Sequence, residues 1–329
     1  MKWTQVQDSV WLPDIAAMVR ERLENPGPLK VKHDPAAIGK LILRQLKDRR
    51  TGSGGLRLSA AGKCLRALAY GYHHWEENGH GIDAASMLTF TVGDISEHML
   101  VAATREAFAL EEGIELLHAG EEQEDVYVEV PLSPFKTLRV PGHPDGCLKV
   151  PKRIDEAGAD IDALFELKSM SDYGFKKFRT NGLDSDDSYY SQIQAYMLAK
   201  EQMTGRPFKW AYVMAFGKTV SAMDAVMSEE TEQWWRLFPI VGQWIPVDKE
   251  HQEYLMDRFK AITMSSSVED FKRPYKPVSK GKYEGKLKFP CDYCNYYRHC
   301  YPGAIEVAEQ AKWLQSTIKV RLYAPKEEK

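Results

Sequence analysis

Gly142-His143-Pro144-Asp145-Gly146 is followed, 21 residues after its aspartate, by Glu166-Leu167-Lys168. Each segment is typical of one of two neighbouring β-strands. In an extended strand, residues two apart share a face, so Glu166 and Lys168 point the same way while Leu167 faces the core. If the preceding strand ends beside them at Asp145, two carboxylates and one ammonium group meet at one point of the sheet.

These side chains have the chemistry needed to hydrolyse phosphodiesters. Asp145 and Glu166 can hold a hard divalent cation such as Mg²⁺, with the backbone carbonyl of Leu167 as a further oxygen ligand. The metal polarises a phosphoryl oxygen and lowers the pKa of bound water, and Lys168 can orient that water or stabilise developing charge. The alternative is a surface strand with alternating charges, because an isolated Glu-x-Lys is common.

A predicted helix after these strands favours the catalytic interpretation. Gln192 and Tyr196 are four residues apart, so they lie on one helix face, where both can reach a phosphate or the metal-bound water. Alone, such a pair is more often a polar helix edge. The order of aspartate, Glu-Leu-Lys and this helix is improbable by chance, although each motif is short.

Four of the five cysteines are grouped like metal ligands. Cys291, Cys294 and Cys300 lie in a short segment bounded by two prolines, and Cys64 supplies a fourth thiolate from far upstream. Four thiolates satisfy tetrahedral Zn²⁺ or an iron-sulfur cluster equally well, and free buried cysteines are the remaining alternative. Cys147, on a predicted strand, is expected to be a small core residue.

The order of these motifs resembles the RecB-like branch of the PD-(D/E)XK nuclease superfamily over roughly residues 56–302. The resemblance implies an α/β fold with a restriction-endonuclease-like core, in which a mixed central sheet is flanked by helices. It implies Mg²⁺ or Mn²⁺ as cofactor and five catalytic residues: Asp145, Glu166, Lys168, Gln192 and Tyr196.

One metal ligand departs from the family pattern. A Gly-x-x-x-His ligand is expected on a helix before the sheet, but Glu97 stands four residues after Gly93, and the histidine follows one position later at His98. Both side chains can bind a metal, yet they lie about 100° apart around a helix and cannot face the site equally well. The spacing favours Glu97, and His98 stays open.

The cysteines resemble those of iron-sulfur RecB-like nucleases, including the CRISPR-associated exonucleases and phage-encoded relatives. In those families a lone N-terminal cysteine and three C-terminal ones hold a 4Fe-4S cluster. The resemblance implies the same for Cys64, Cys291, Cys294 and Cys300, with Zn²⁺ as the alternative. Such a centre would close a very long loop and join the helical N- and C-terminal additions to each other, so its role is expected to be structural.

The formal net charge of −3 gives no overall attraction for nucleic acid, so DNA contacts are expected from local basic clusters. One is a predicted loop after the catalytic strand, and the other is a tyrosine-containing segment before the cysteines. Lysine mixed with aromatic residues suits phosphate binding and base stacking, and a solvated loop is the alternative. The candidates are Lys176, Lys177, Arg179, Lys280, Lys282 and Lys286.

The pattern along the chain predicts three segments: a helical extension (1–55), a nuclease core with the first cluster cysteine (56–228), and a helical region with the three-cysteine loop (229–329). We further predict a helix capped by Ser59, mainly helical structure over 229–264, and a last helix from about Gly303 to Leu322.

Features of a membrane or exported protein do not occur in the sequence. There is no run of about 18 or more apolar residues, and the N-terminus lacks the pattern of a signal peptide. We therefore expect a cytoplasmic protein with no membrane partner.

The motifs together predict a metal-dependent DNA exonuclease that hydrolyses phosphodiester bonds on single strands or DNA ends. One alternative is a DNA-end-binding subunit with little or no catalysis, which works with a helicase, recombinase or integrase in recombination, repair or CRISPR adaptation. An endonuclease is the other alternative. The intact pair of acidic residues favours the enzyme over the binding subunit.

Overall fold

The computed structural model of the 329-residue chain describes residues 3–7, 10–25, 27–31, 39, 54–74, 84–111, 113–151, 161–184, 187–217, 240–280, 284–287, 290–291, 294, 296–302, 304–310 and 317–323. Along the chain, the helices and strands are β1 (Trp3–Gln7), β2 (Val10–Pro13), α1 (Ile15–Glu24), α2 (Leu65–His73), α3 (Ala84–Phe108), β3 (Glu115–Leu117), β4 (Val126–Ser133), β5 (Lys136–Gly142), β6 (Gly146–Val150), β7 (Ile161–Met170), α4 (Asp172–Asn181), α5 (Ser188–Thr204), β8 (Trp210–Gly217), β9 (Ile240–Pro246), α6 (Lys249–Met264), α7 (Tyr297–Cys300), β10 (Ile305–Gln310) and β11 (Thr317–Tyr323).

A five-stranded mixed sheet lies at the centre of the fold. Its strand order is β3-β6-β7-β8-β9, with β7 and β8 parallel and the other neighbours antiparallel. Parallel neighbours need a crossover connection, and α4 and α5 lie in the one between β7 and β8. The separate β4–β5 hairpin packs against α5. The predicted α/β architecture, a mixed sheet flanked by helices, is confirmed.

The main hydrophobic core joins the sheet to α1 and α3. Two aromatic side chains in this core also satisfy main-chain groups near the N-terminus. The hydroxyl of Tyr212 accepts a hydrogen bond from the Ala16 amide at 2.8 Å, and the indole of Trp244 donates one to the Pro13 carbonyl at 3.0 Å. Cys147 is buried in the same sheet, as predicted for a core residue.

By its internal contacts the chain forms two units. Unit 1 comprises Met1–Arg50, Arg57–Gly62 and Ile82–Met256, and unit 2 comprises Thr51–Leu56, Lys63–Gly81 and Asp257–Lys329. Within unit 1, both α1 and β9 pack into the core of the central sheet. The division into three segments stays a prediction.

Strand β9 corrects the prediction of mainly helical structure over 229–264. Residues 218–239 lie outside the described ones, Ile240–Pro246 form a strand paired with β8, and Lys249–Met264 form a helix. The buried strand β8 leaves main-chain groups on this edge that need partners, and pairing with β9 supplies them. Trp244, predicted to be a core residue, is buried on this strand.

The prediction of a C-terminal helix from Gly303 to Leu322 is wrong. Ile305–Gln310 and Thr317–Tyr323 form an antiparallel hairpin instead. In the second strand, Ile318 and Val320 alternate with charged residues, which is the period of a strand. The N-terminal addition is likewise not purely helical, since β1 and β2 form a hairpin before α1.

Two further local predictions need correction. Ser59 does not cap a helix, because it lies in a 3-10 turn at Leu58–Ala60. Helix α2 is capped by Cys64, whose Sγ accepts a hydrogen bond from the Ala67 amide at 3.4 Å. The basic segment 176–179, predicted as a loop, belongs to α4.

Of the helices described, none combines the length and the hydrophobicity needed to cross a bilayer.

Candidate active site and cysteine cluster

Unit 1 contains a cavity of about 320 Å³ beside β7. All five predicted catalytic residues and Glu97 line it, whereas His98 is not among its lining residues. The residues that line the cavity are Arg57, Ser59, Glu97, Pro141, Gly142, His143, Asp145, Glu166, Leu167, Lys168, Gln192 and Tyr196. The fold therefore brings together the motifs that lie apart in the sequence, and α3 presents Glu97 to the cavity.

Asp145 is held against the Glu-Leu-Lys segment by the main chain. Its Oδ2 accepts a hydrogen bond from the Leu167 amide at 2.7 Å, and its Oδ1 accepts one from Gln123 Nε2 at 3.2 Å. Asp145 precedes β6, whose pairing with β7 includes Gly146 opposite Phe165. The register of these two strands thus sets the carboxylate beside the catalytic segment.

Glu166 is almost fully buried, and only one of its two carboxylate oxygens has hydrogen-bond partners. Its Oε1 accepts hydrogen bonds from Gln192 Nε2 at 2.9 Å and from the ammonium group of Lys168. Its Oε2 is buried and has no hydrogen-bond partner. An unpartnered buried carboxylate oxygen is unfavourable, so it calls for an explanation such as a catalytic role or a bound ion.

Gln192 and Tyr196 lie on the same face of α5, as their spacing predicts. The amide of Gln192 donates to Glu166 and also to the Tyr196 hydroxyl, at 3.2 Å. In the structure the amide of Gln192 therefore holds the carboxylate of Glu166. The predicted role of both residues in positioning substrate stays a prediction.

The charged groups of the cavity shift each other's pKa. Burial, followed by repulsion from Asp145 and Glu166, raises the pKa of Glu97 to about 8. Burial and the charge of Asp145 raise the pKa of Glu166 to about 8, and burial raises the pKa of Asp145. Burial disfavours the charged form of Lys168, but the two neighbouring carboxylates outweigh it and raise the pKa of the amine. The three carboxyl groups share a single neighbouring amine. A divalent cation bound between them would offset their mutual repulsion.

Gly142 is a site residue whose function was not apparent from the sequence. A Cβ atom at this position would lie 2.5 Å from Tyr196 Cε1 and 2.9 Å from Leu58 Cβ. Glycine therefore allows α5 and the 3-10 turn to approach β5 at the cavity wall. The signal that could have identified it is a glycine at the end of a strand, which often marks close approach of other groups.

Arg57, Ser59 and Gln123 were also missed. Arg57 and Ser59 line the cavity and Gln123 holds Asp145, but each lies far from the acidic motifs in the sequence. No local motif surrounds them that could have identified them. Only the tertiary structure places them at the site.

The predicted DNA-binding residues lie on both units. On α4, Lys177 Nζ is 3.0 Å from Asp187 Oδ1 and Lys176 Nζ is 3.2 Å from Asp172 Oδ2, while Arg179 is exposed. In unit 2, Lys280 is exposed and Lys286 is half-buried, and Lys282 lies outside the described residues. A role of these residues in binding DNA stays a prediction.

All four predicted cluster cysteines belong to unit 2. Cys291 is buried and Cys64, Cys294 and Cys300 are half-buried. Burial, followed by repulsion from other cysteines of the group, raises the pKa of the thiols of Cys64 and Cys294 and raises that of Cys291 to about 11. The four thiols are therefore close enough to interact electrostatically.

A buried arginine accompanies the cysteines. Arg66 donates from Nη1 to the main-chain carbonyls of Val268 at 3.2 Å and Phe271 at 2.8 Å, and its charge interacts electrostatically with Cys300. Its positive charge lies where thiolates would need compensation. Arg66 follows Cys64 by two residues in the sequence, but nothing in that spacing alone indicated this contact.

The described side chains at the two sites do not yet have the arrangement of a metal-binding site. In the described ranges, no group of three or more His, Cys, Asp or Glu side chains is arranged to hold a metal ion as it stands. The residues nevertheless fit a metal by their chemistry, because one site has an unpartnered buried carboxylate oxygen and the other has four interacting thiols.

Glu97 should make the stability of the metal-free protein depend on pH. Its pKa is about 8 in the folded protein, against an ordinary value of 4.5. The stabilisation of the folded state that Glu97 provides is therefore complete below the ordinary pKa and is lost as pH rises towards 8. Between pH 5 and pH 8 we expect the melting temperature of the wild type to fall by about 2–5 °C relative to Glu97→Gln. Thermal unfolding of both proteins with a chelator present measures this difference.

The comparison isolates Glu97, because both proteins share the other charged groups that face it: Asp94, Asp145, Glu166 and Lys168. Added Mg²⁺ should then raise the melting temperature of the wild type at pH 8 more than that of the variant, since only a ligand of the native state stabilises it. A difference between the two proteins that stays constant across this pH range would show that Glu97 is ordinarily solvated.

Neither a family model nor a curated protein sequence matches this chain. Solved structures similar to it include two of one protein, LHK-Exo. LHK-Exo in complex with dAMP is 15% identical, with 70% of this chain and 93% of that chain covered and a TM-score of 0.37. The alkaline exonuclease LHK-Exo from Laribacter hongkongensis is 14% identical, with 64% and 90% covered and a TM-score of 0.32. At these TM-scores, neither similarity assigns a fold or a function to the chain.

Proposed function

We propose that this protein is a metal-dependent DNA exonuclease that hydrolyses phosphodiester bonds on single strands or DNA ends. The observation that carries the proposal is the buried, unpartnered Oε2 of Glu166 in a cavity that also holds Asp145, Glu97 and Lys168. The order of motifs along the chain supports the same conclusion. The choice of an exonuclease follows from the family resemblance of that order.

The residues that would hold Mg²⁺ or Mn²⁺ are the carboxylates of Asp145, Glu166 and Glu97, with the main-chain carbonyl of Leu167. All four line the cavity, and hard oxygen ligands suit these cations. When bound, the cation supplies polarisation of the phosphoryl oxygen and a lower pKa for the attacking water.

The protein's own side chains then orient the reactants. Lys168 is held by Glu166 and can donate a hydrogen bond to the attacking water or to the phosphoryl oxygen on which negative charge develops. Gln192 keeps the carboxylate of Glu166 in place. Arg57 and Ser59 add a guanidinium and a hydroxyl to the same cavity, and both groups donate hydrogen bonds to phosphate.

We also propose that Cys64, Cys291, Cys294 and Cys300 hold a 4Fe-4S cluster that stabilises unit 2. The support is the interaction among the four buried or half-buried thiols and the neighbouring guanidinium of Arg66, together with the one-plus-three spacing of the cysteines. Zn²⁺ is the alternative occupant, because four thiolates satisfy both.

A nuclease assay tests the proposed activity. End-labelled single-stranded and duplex DNA, with the label at either end, is incubated with the full chain and Mg²⁺ or Mn²⁺, and Asp145→Ala is run alongside. We expect progressive shortening of linear strands, which stops in chelator and in the variant. Cleavage of circular DNA would instead indicate an endonuclease. If the wild type degraded DNA no faster than Asp145→Ala, the proposal would be wrong.

A further inference from the structure

An exposed aromatic ring stands beside the cavity and has no role in the chemistry described so far. Tyr189 lies at the start of α5 and is 38% exposed. Its ring centroid is 5.1 Å from Lys168 Nζ, and Lys168 lines the cavity. A base attached to a phosphate bound near Lys168 would therefore come within reach of this ring.

A second exposed tyrosine lies on the neighbouring helix. Tyr173 on α4 is 81% exposed, and it precedes Lys177 by four residues on the same helix, so the two side chains share a face. Lys177 Nζ is 3.0 Å from Asp187 Oδ1, and Asp187 immediately precedes the helix that carries Tyr189. This ion pair thus ties the helices together, with one exposed tyrosine on each.

Exposed aromatic rings next to a phosphate site suit one class of ligand. Proteins that bind single-stranded nucleic acid stack bases on such rings while cationic groups contact the backbone. In a duplex the faces of the bases are already stacked on each other, so a ring can contact only unpaired or terminal bases. The position of the tyrosines therefore favours an unpaired strand over an intact duplex.

We propose that Tyr189 stacks on the unpaired base next to the phosphate in the cavity, and that Tyr173 stacks on a base further along the same strand. The ligand is a single-stranded nucleic acid. This inference rests on the proposed function and names the substrate form that the site selects. Loss of one stacked base is expected to weaken binding by about 5- to 100-fold.

The test compares two strands that differ only in their bases. One is a fluorescent 12-residue oligothymidylate, and the other is a 12-residue strand of abasic sites with the same phosphates. Binding to the full chain is measured by fluorescence anisotropy with Ca²⁺ in place of Mg²⁺, and the strands are checked for integrity afterwards. The proteins are the wild type, Tyr189→Ala, Tyr189→Phe and, as a matched control, Tyr254→Ala, since Tyr254 is 51% exposed on α6.

We expect Tyr189→Ala to bind oligothymidylate about tenfold more weakly and the abasic strand as well as the wild type does. Tyr189→Phe, which keeps the ring, should bind both strands like the wild type, and so should Tyr254→Ala. Should Tyr189→Ala fail to fold, Tyr189→Leu replaces it in the same comparison.

Three results would overturn the inference: an unchanged affinity of Tyr189→Ala for oligothymidylate, an equal loss for both strands, or no binding of either strand by the wild type. An equal loss would mean that Tyr189 only supports Lys168. Cleavage is measured separately with Mg²⁺ or Mn²⁺, so a protein that binds through stacking but does not cut would contradict the proposed activity and not the stacking.

Discussion

Glu166→Gln is expected to lower DNA cleavage by about 10²- to 10³-fold while leaving the melting temperature unchanged or higher. The activity falls because the variant lacks a charged oxygen ligand, and metal polarisation contributes several kcal/mol to such reactions, where about 1.4 kcal/mol is tenfold in rate. The stability does not fall because the substitution removes a buried carboxylate whose Oε2 has no partner. Asp145 remains as a charged neighbour of Lys168.

The opposite signs of the two effects separate a catalytic group from a structural ion pair. If Glu166 served only to pair with Lys168, breaking this buried pair would destabilise the protein by about 3–5 kcal/mol. Cleavage rates and thermal unfolding are therefore measured on the same preparations. Glu129→Gln is the matched control, because Glu129 is an exposed strand residue paired with Arg139 at 2.9 Å, and it should change neither quantity.

An outcome in which Glu166→Gln cleaves DNA at the wild-type rate would exclude Glu166 from the reaction. A large fall in melting temperature together with lost activity would show that Glu166 is a structural residue. Substrate affinity of the variant, measured by the anisotropy assay, should stay within a few-fold of the wild type. That result would place the loss in the chemical step.

The sequence was sufficient to predict the acid and the amine on β7 and the polar pair on α5, because strand and helix geometry are local. Alternation within Glu166-Leu167-Lys168 places the acid and the amine on one side of β7, and helical periodicity does the same for Gln192 and Tyr196 on α5. The resemblance to the Gly-x-x-x-His pattern, counted from Gly93, likewise favours Glu97, which is the residue that lines the cavity. These relations depend on a few neighbouring residues, so they can be read without the fold.

The remaining features depend on contacts between distant parts of the chain. No local pattern around Gln123 indicates that its amide reaches Asp145, and none around Gly142 indicates how closely Tyr196 approaches it. The strand Ile240–Pro246 was predicted as helix because its apolar residues, such as Trp244, also suit a buried helix face, and only the open edge of β8 makes it a strand. Tertiary pairing overrides such weak local preferences.

Cys291→Ser is expected to remove the bound metal and to unfold the part of unit 2 around Cys291. The described hydrophobic cluster around Cys291 in this unit is small and consists of Leu287, Cys291, Tyr297 and Tyr301. Small cores usually need a disulfide or a metal to be stable. Structural zinc in peptides contributes about 10–16 kcal/mol of folding free energy, which matches or exceeds the total stability of about 5–15 kcal/mol of most domains.

Cys147→Ser is the matched control for this prediction. Cys147 is the fifth cysteine, is buried in the central sheet of unit 1, and has no place in the cluster. Iron, sulfide and zinc are measured in protein prepared without oxygen, and limited proteolysis reports which unit is unfolded. We expect about four iron and four sulfide per chain in the wild type and in Cys147→Ser, and neither element in Cys291→Ser.

Proteolysis should then cut Cys291→Ser within residues 257–329 while unit 1 resists, because the two units have separate internal contacts. One zinc per chain without iron in the wild type would assign the site to Zn²⁺ and leave the structural role intact. An oxygen-free wild-type preparation with neither metal and four reactive thiols would show that the cysteines hold no centre. In that case burial, with a smaller contribution from the neighbouring thiols, would explain the raised pKa values of Cys64, Cys291 and Cys294.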